Sequence, residues 1–146
     1  MPARTPKPPR FFLDTNVFVY TFDQGSPVER AKARELVELA LTTGMGVVSH
    51  QVIQEFLNVA TRKFAVPLGA ADSLAYLEGV FAALWRVSPT VALYARALEI
   101  QEMSNYSFYD SLIVASALIS GCSVLYSQDL QHGRRFDSLT VVDPFL

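Results

Sequence analysis

Four acids in this 146-residue chain stand out by where they fall: Asp14, Glu55, Asp110 and Asp129. Asp14 directly follows the apolar run Phe11-Phe12-Leu13, and Asp129 lies three residues beyond the run Ser123 to Tyr126. If both runs are strands of one parallel sheet, both acids project from the edge beyond the strands' carboxyl ends, where open α/β sheets bind ligands. Glu55 falls on the margin of a helical stripe of Val52, Phe56 and Val59, and Asp110 sits in the first turn of the most apolar helix in the sequence. A carboxylate near buried apolar surface is costly unless it is paired or bound to a metal. Four converging on one edge would repel one another and raise their pKa values. A divalent cation relieves that repulsion.

Each acid also has an ordinary structural reading. Asp110 stands where it would close a capping box opened by Ser107. Asp129 fits a turn in Ser127-Gln128-Asp129, and Glu55 an exposed acid beside an apolar stripe. Asp14, a charge placed between a buried strand and Thr15-Asn16, is the strongest single case. Only the four together point to chemistry.

The elements that would position them alternate. Residues 11–13 read as a strand, and residues 15–22 (TNVFVYTF) as strand or helix, with Thr15 or Asn16 as a cap for the latter. Ser26-Pro27, with Glu29 following, opens a helix whose apolar positions are Ala33, Leu36, Val37, Ala40 and Leu41, and Gly44 and Gly46 end it. A strand over 46–49 precedes a helix over 50–64, with Ile53, Phe56, Leu57 and Ala60 on one stripe. Residues 70–84 are helical and 85–87 a brief strand. Ser88-Pro89 repeats the cap-and-proline start for a helix to about Met103. Ser107 starts the helix that is apolar on nearly every side, the mark of a central one. Strands over 123–126 and 139–142 complete an α/β pattern with a mainly parallel sheet. Two helices without a strand between them, around residues 50–84, break strict alternation.

Bulk composition sets limits. With 51% apolar residues the chain supports one full core. Its net charge of −2 does not suit a broad basic nucleic-acid coat, so any nucleic acid must be held locally. Arg62-Lys63 and Arg134-Arg135 are the basic pairs available after the N-terminal ten residues, either for phosphates or as solvated surface charge. Cys122 stands alone, so no internal disulfide forms, which suits a reducing cytoplasm; it reads as a small buried hydrophobe. Residues 1–10, with four prolines and three basic residues, read as a flexible tail, and residues 11–146 as one domain. The apolar stretch after the tail is cut by Asp14 after three residues, so it is no signal-peptide core, and no stretch is long enough to span a membrane. His50 and His132 read as surface or capping residues.

Taken in order, four segments resemble the motifs of PIN-domain ribonucleases. They are Leu13-Asp14-Thr15-Asn16-Val17-Phe18; Ser49 through Glu55-Phe56; Tyr109-Asp110-Ser111 through Ala117; and Ser127-Gln128-Asp129-Leu130. Each is weak alone, but their order and separations agree across residues 11–146. Small size and the run Tyr126 to Gly133 are similar to the VapC-type toxins of bacterial toxin–antitoxin pairs; Ser127 stands where many relatives carry threonine. The resemblance implies a three-layer α/β/α fold with a five-stranded, mainly parallel sheet. It also implies metal-dependent cleavage of RNA phosphodiesters with Mg²⁺ or Mn²⁺. On that reading Asp14 and Asp110 are the main metal ligands, with Asp129 completing the site. Glu55 handles the attacking water, and Asn16 and Ser127 fix carboxylate orientation. It further implies an antitoxin partner and a homodimer, with the helices from 26 to 84 as candidates for its interface.

Three other readings compete. A phosphoacceptor receiver domain would carry a lysine near its last strand, and residues 136–146 contain none. A haloacid-dehalogenase-like phosphatase would want a second aspartate where Asn16 stands. A non-catalytic PIN module that only binds protein or RNA remains as the alternative.

Overall fold

The computed structural model describes residues 7–146. The element order is β1 (Phe11–Leu13), α1 (Thr15–Tyr20), α2 (Pro27–Thr43), β2 (Gly46–Ser49), α3 (His50–Arg62), α4 (Ala70–Tyr76), a π-helical turn (Leu77–Phe81), α5 (Ala82–Leu84), β3 (Trp85–Val87), α6 (Val91–Ser104), α7 (Phe108–Ile119), β4 (Val124–Tyr126), β5 (Arg135–Phe136) and β6 (Leu139–Val142). The strands form one sheet in the order β3-β2-β1-β4-β6-β5, parallel except where β5 pairs with β6. Successive strand residues face opposite sides of a sheet. Because every residue of β1 and β2 is buried, helices must cover both faces, as in an α/β/α sandwich.

The sheet has six strands, one more than expected. The addition is the two-residue β5, which folds back on β6 with Arg135 opposite Thr140 and Phe136 opposite Leu139. Residues 15–20 resolve to helix, and the cap is Asp14 rather than Thr15 or Asn16. Ser26 occupies the cap position of α2 but its side chain makes no cap bond; Pro27 pre-sets the first turn. Helix α2 ends at Gly44 in the left-handed region, φ 70°. Thr90, not Ser88, caps α6, accepting from Leu93 N–H at 3.0 Å. The tail expected to be flexible falls mostly on residues 1–6, which lie outside the described residues. Arg10, at the tail's end, is tied down: its guanidinium donates to Ser120 O at 2.8 Å and its carbonyl accepts from Ser123 N–H at 2.9 Å. Cys122 is buried, and burial pushes its thiol up to about 11, which suits a packing role.

An aromatic cluster locks the helices nearest the acidic edge. Phe18 and Phe22 flank the end of α1, Phe56 and Phe64 belong to α3 and the turn after it, and Tyr76 and Phe81 come from α4 and the π turn. Phe56 stacks on Tyr76 with centroids 4.8 Å apart and meets Phe81 edge-on at 5.2 Å. The π turn delivers Phe81 into this cluster, against Phe18 at 4.9 Å. Each such pair adds about 0.5–1.5 kcal/mol beyond burial, and together they fix the rotation of α3, on which Glu55 neighbours Phe56. Phe56→Ala is therefore expected to cost about 3–5 kcal/mol, read as a lowered guanidinium midpoint. A loss under 1 kcal/mol would contradict this account of how α3 is held.

Candidate active site

The site starts where β1 stops. Asp14 N–H donates to Tyr126 O at 3.0 Å, continuing the β1–β4 pairing by one residue before the chain turns into α1. The Asp14 side chain is buried, and both its oxygens are engaged. Oδ1 accepts from Thr15 N–H at 2.7 Å, and Oδ2 accepts from the Ser127 hydroxyl at 2.7 Å. Ser127 is itself fixed beyond β4 by its N–H to Val142 O at 3.0 Å, and its hydroxyl also accepts from Leu130 N–H at 3.3 Å.

Two further acids join through neighbours of Asp14. The Thr15 hydroxyl donates to Glu55 Oε2 at 2.7 Å, and Asn16 Nδ2 donates to Asp129 Oδ2 at 2.9 Å. The second Glu55 oxygen accepts from Gln51 Nε2 at 2.9 Å, one helical turn earlier on α3. The same Gln51 nitrogen donates to Tyr109 O at 3.1 Å, tying α3 to the start of α7. Hydrogen bonds therefore link Asp14 to Glu55 through Thr15, and Asn16, the next residue along the backbone, holds Asp129 beside them at the carboxyl edge of the sheet. Asp14 carries the electrostatic cost. Burial foremost, with the nearby charges of Glu55 and Asp129, pushes its carboxyl up to about 6, while the bonds from Ser127 and Thr15 pull the other way.

Asp110 is placed differently. Its N–H donates to Ser107 Oγ at 3.1 Å, so Ser107 caps α7. Among the described residues nothing donates to the Asp110 carboxylate, so the return half of a capping box is not made. It is joined to the other acids through the Gln51–Tyr109 bridge rather than by a contact of its own carboxylate. As the side chains stand, no three carboxylate, imidazole or thiol groups among the described residues lie close enough to hold one ion.

Gln51 and Thr15 are the site residues that sequence reasoning missed. Gln51 offered a signal: it stands four residues before Glu55, on the same helix face. Neither histidine touches the acids among the described contacts. His132 Nδ1 accepts from Asp143 N–H at 3.0 Å, and His50 opens α3. Of the basic pair at the start of β5, the Arg134 guanidinium lies over the rings of Tyr106 and Phe136, at 4.8 and 5.0 Å, while Arg135 is exposed. Arg62 and Lys63 are exposed at the end of α3.

This fold has counterparts. The PIN domain family model matches residues 11–136, and the chain belongs to that family. Among solved structures it is similar to VapC20 of Mycobacterium tuberculosis, a sarcin–ricin-loop-cleaving toxin. Identity there is 22% over 82% of this chain and 89% of that one, with TM-score 0.61. A toxin–antitoxin complex from Klebsiella pneumoniae matches at 14% identity over 91% of this chain and 96% of that one, TM-score 0.66. The DNA-bound VapBC of Salmonella typhimurium matches at 20% identity over 94% of this chain and 99% of that one, TM-score 0.64. A search of curated proteins by sequence gives no match. No helix among the described residues is long and apolar enough to cross a membrane.

The raised Asp14 carboxyl has a consequence for stability in metal-free buffer. The folded chain holds this proton up to about pH 6, whereas the unfolded chain releases it near 3.8. The favourable contribution is complete below 3.8 and is lost as pH rises through 6, leaving a buried charge. Asp14→Asn is expected to be more stable than the parent at pH 8, by up to roughly 3 kcal/mol, with the difference shrinking towards pH 4. Urea midpoints across that range check it. A variant less stable than the parent at pH 8 would contradict the assignment.

Proposed function

We propose that this PIN domain is a metal-dependent ribonuclease that hydrolyses RNA phosphodiester bonds, acting as the toxin of a toxin–antitoxin pair. The observation that carries the reading is the hydrogen-bonded chain through Ser127, Asp14, Thr15 and Glu55, with Asn16 joining Asp129 beside it. Structural groups that only cap or solubilise have no need of a buried carboxylate held between two strand ends beside two more acids.

The donor chemistry fits a hard divalent cation. Carboxylate oxygens are what Mg²⁺ and Mn²⁺ prefer, and a buried Asp14 beside like charges is stabilised by positive charge. Asp14 and Asp110 would hold the ion, with Asp129 completing the site; Asp110 brings a carboxylate that no described protein group occupies. When bound, the ion supplies phosphoryl polarisation and a more acidic water. The chain's own residues do the rest. Ser127 and Thr15 fix the plane of the Asp14 carboxylate, and Asn16 orients Asp129. Thr15 and Gln51 hold Glu55 by one bond to each oxygen, so its remaining lone pairs point in set directions to align the attacking water and accept its proton.

The toxin role draws on the solved relatives, two of which are toxin–antitoxin assemblies and one a sarcin–ricin-loop-cleaving toxin. The same relatives support an antitoxin partner for this chain. A homodimer and a place in the cytoplasm, where the free Cys122 stays reduced, complete the reading.

Purified protein is expected to cleave RNA with Mg²⁺ or Mn²⁺ and to stop in excess EDTA. Asp14→Asn and Asp110→Asn should abolish cleavage with circular dichroism unchanged. Full activity in EDTA would overturn the metal mechanism, and a folded wild-type chain inert on RNA with either metal would favour the non-catalytic binding module. Ser127→Ala and Asn16→Ala, which remove only the carboxylates' supports, should lower activity by roughly 10- to 100-fold. Unchanged rates in both would show that those hydrogen bonds do not orient the site.

A further inference from the structure

Beside the acidic edge, between the start of α3 and the α6–α7 region, lies a cavity of about 400 Å³. His50, Gln51 and Gln54 line one wall, and Tyr94, Phe108 and Tyr109 supply aromatic surface. Tyr109 is 67% exposed and Tyr94 39%, with Phe108 between them at centroid distances of 5.7 and 6.3 Å. None of the lining residues is an Asp, Glu, Lys or Arg. With no Lys or Arg and with three aromatic rings, such a wall favours a flat, neutral ring over a phosphate.

Two buried polar atoms of its lining residues lack a partner among the described residues. Gln51 is only 5% exposed, and its amide nitrogen faces two acceptors, Glu55 Oε1 and Tyr109 O. That fixes which way the amide points, since the nitrogen's two hydrogens are both used. Oε1 is left buried, and it accepts no bond among the described residues; His50 Nδ1 is likewise buried and unpartnered. A buried acceptor without a donor is rare and calls for a ligand or a water.

We propose that this cavity is a nucleobase pocket that takes the base flanking the scissile phosphodiester, a proposal that rests on the ribonuclease reading for its substrate. The base stacks on the exposed tyrosine faces, and its exocyclic amino group donates to Gln51 Oε1. At the ring position where adenine and cytosine carry this amino group, uracil and guanine carry a carbonyl oxygen, which in the same pose would face Oε1 acceptor to acceptor, so the pocket selects adenine and cytosine over uracil and guanine. The pocket is coupled to the chemistry by construction. Gln51 also holds Glu55, and Tyr109 immediately precedes Asp110.

Binding can be tested apart from cleavage. The full chain in EDTA, followed by NMR, is titrated with AMP, CMP, GMP, UMP and ribose 5-phosphate. AMP and CMP should perturb Gln51, His50 and the tyrosines, with UMP and GMP roughly 10-fold weaker, and Tyr109→Ala should weaken AMP by roughly 10-fold while Tyr109→Phe retains it. Equal affinity for UMP or GMP, or the same shifts with ribose 5-phosphate, would overturn the proposal. Cleavage sites mapped on RNA of random sequence form the second arm. Uracil and guanine should be depleted at one position beside the cut, and Tyr109→Ala should erase that bias. Cleavage without nucleotide binding would sink the pocket and leave the nuclease standing; binding without cleavage would do the reverse.

Discussion

One buried carboxyl group organises this molecule. Asp14 lies at the point where β1 ends, is hydrogen-bonded to the hydroxyl that follows β4, and caps the helix that follows it. Burying an acid is unfavourable, and the cost is tolerated because both oxygens are satisfied and because the same bonds align two strands and a helix. Ser127 is in turn held by β6 through Val142 O, so the position of Asp14 is set by three neighbouring strands rather than by its own loop.

From Asp14 the arrangement spreads by short polar links on a rigid apolar base. Thr15 and Asn16, the first two residues of α1, each hold one further acid, and Gln51 returns from α3 to α7. Beneath them the aromatic cluster fixes α1 against α3. Precision at the edge is therefore a product of packing below it: the polar groups are few, and each is carried by an element whose rotation the core decides.

Much of this was legible in the residues. The runs that form β1, β2, β4 and β6 are short, mostly apolar and followed by turn or cap residues, and the acids behind β1 and β4 lie where a parallel sheet gathers its ligands. β5 was not legible, because a two-residue strand containing an exposed Arg135 carries no periodicity. Residues 15–20 were ambiguous because the run is apolar with β-branched residues; Asp14, as cap, decided for helix. The start of α6 was placed at Ser88-Pro89 because that pair mimics the start of α2, while the bond to Leu93 N–H comes from Thr90. Thr15 is not legible because its partner lies 40 positions away, and Gln51 only in part: its spacing to Glu55 is a local signal, but its second partner is 58 positions away. Asp110 groups with the other acids by sequence, and in the fold its backbone neighbour Tyr109 is tied to Gln51.

The bonds that complete the edge join residue 14 to 127 and residue 16 to 129, each a separation of 113 positions. Contacts of such high order form late, since the entropy of closing the loop precedes any reward from it. A chain still emerging from the ribosome would carry Asp14 and Glu55 with neither Ser127 nor Asp129 to complete them. Whatever chemistry the edge performs is thus withheld from the nascent polypeptide by topology alone, until β4 has been made and inserted beside β1.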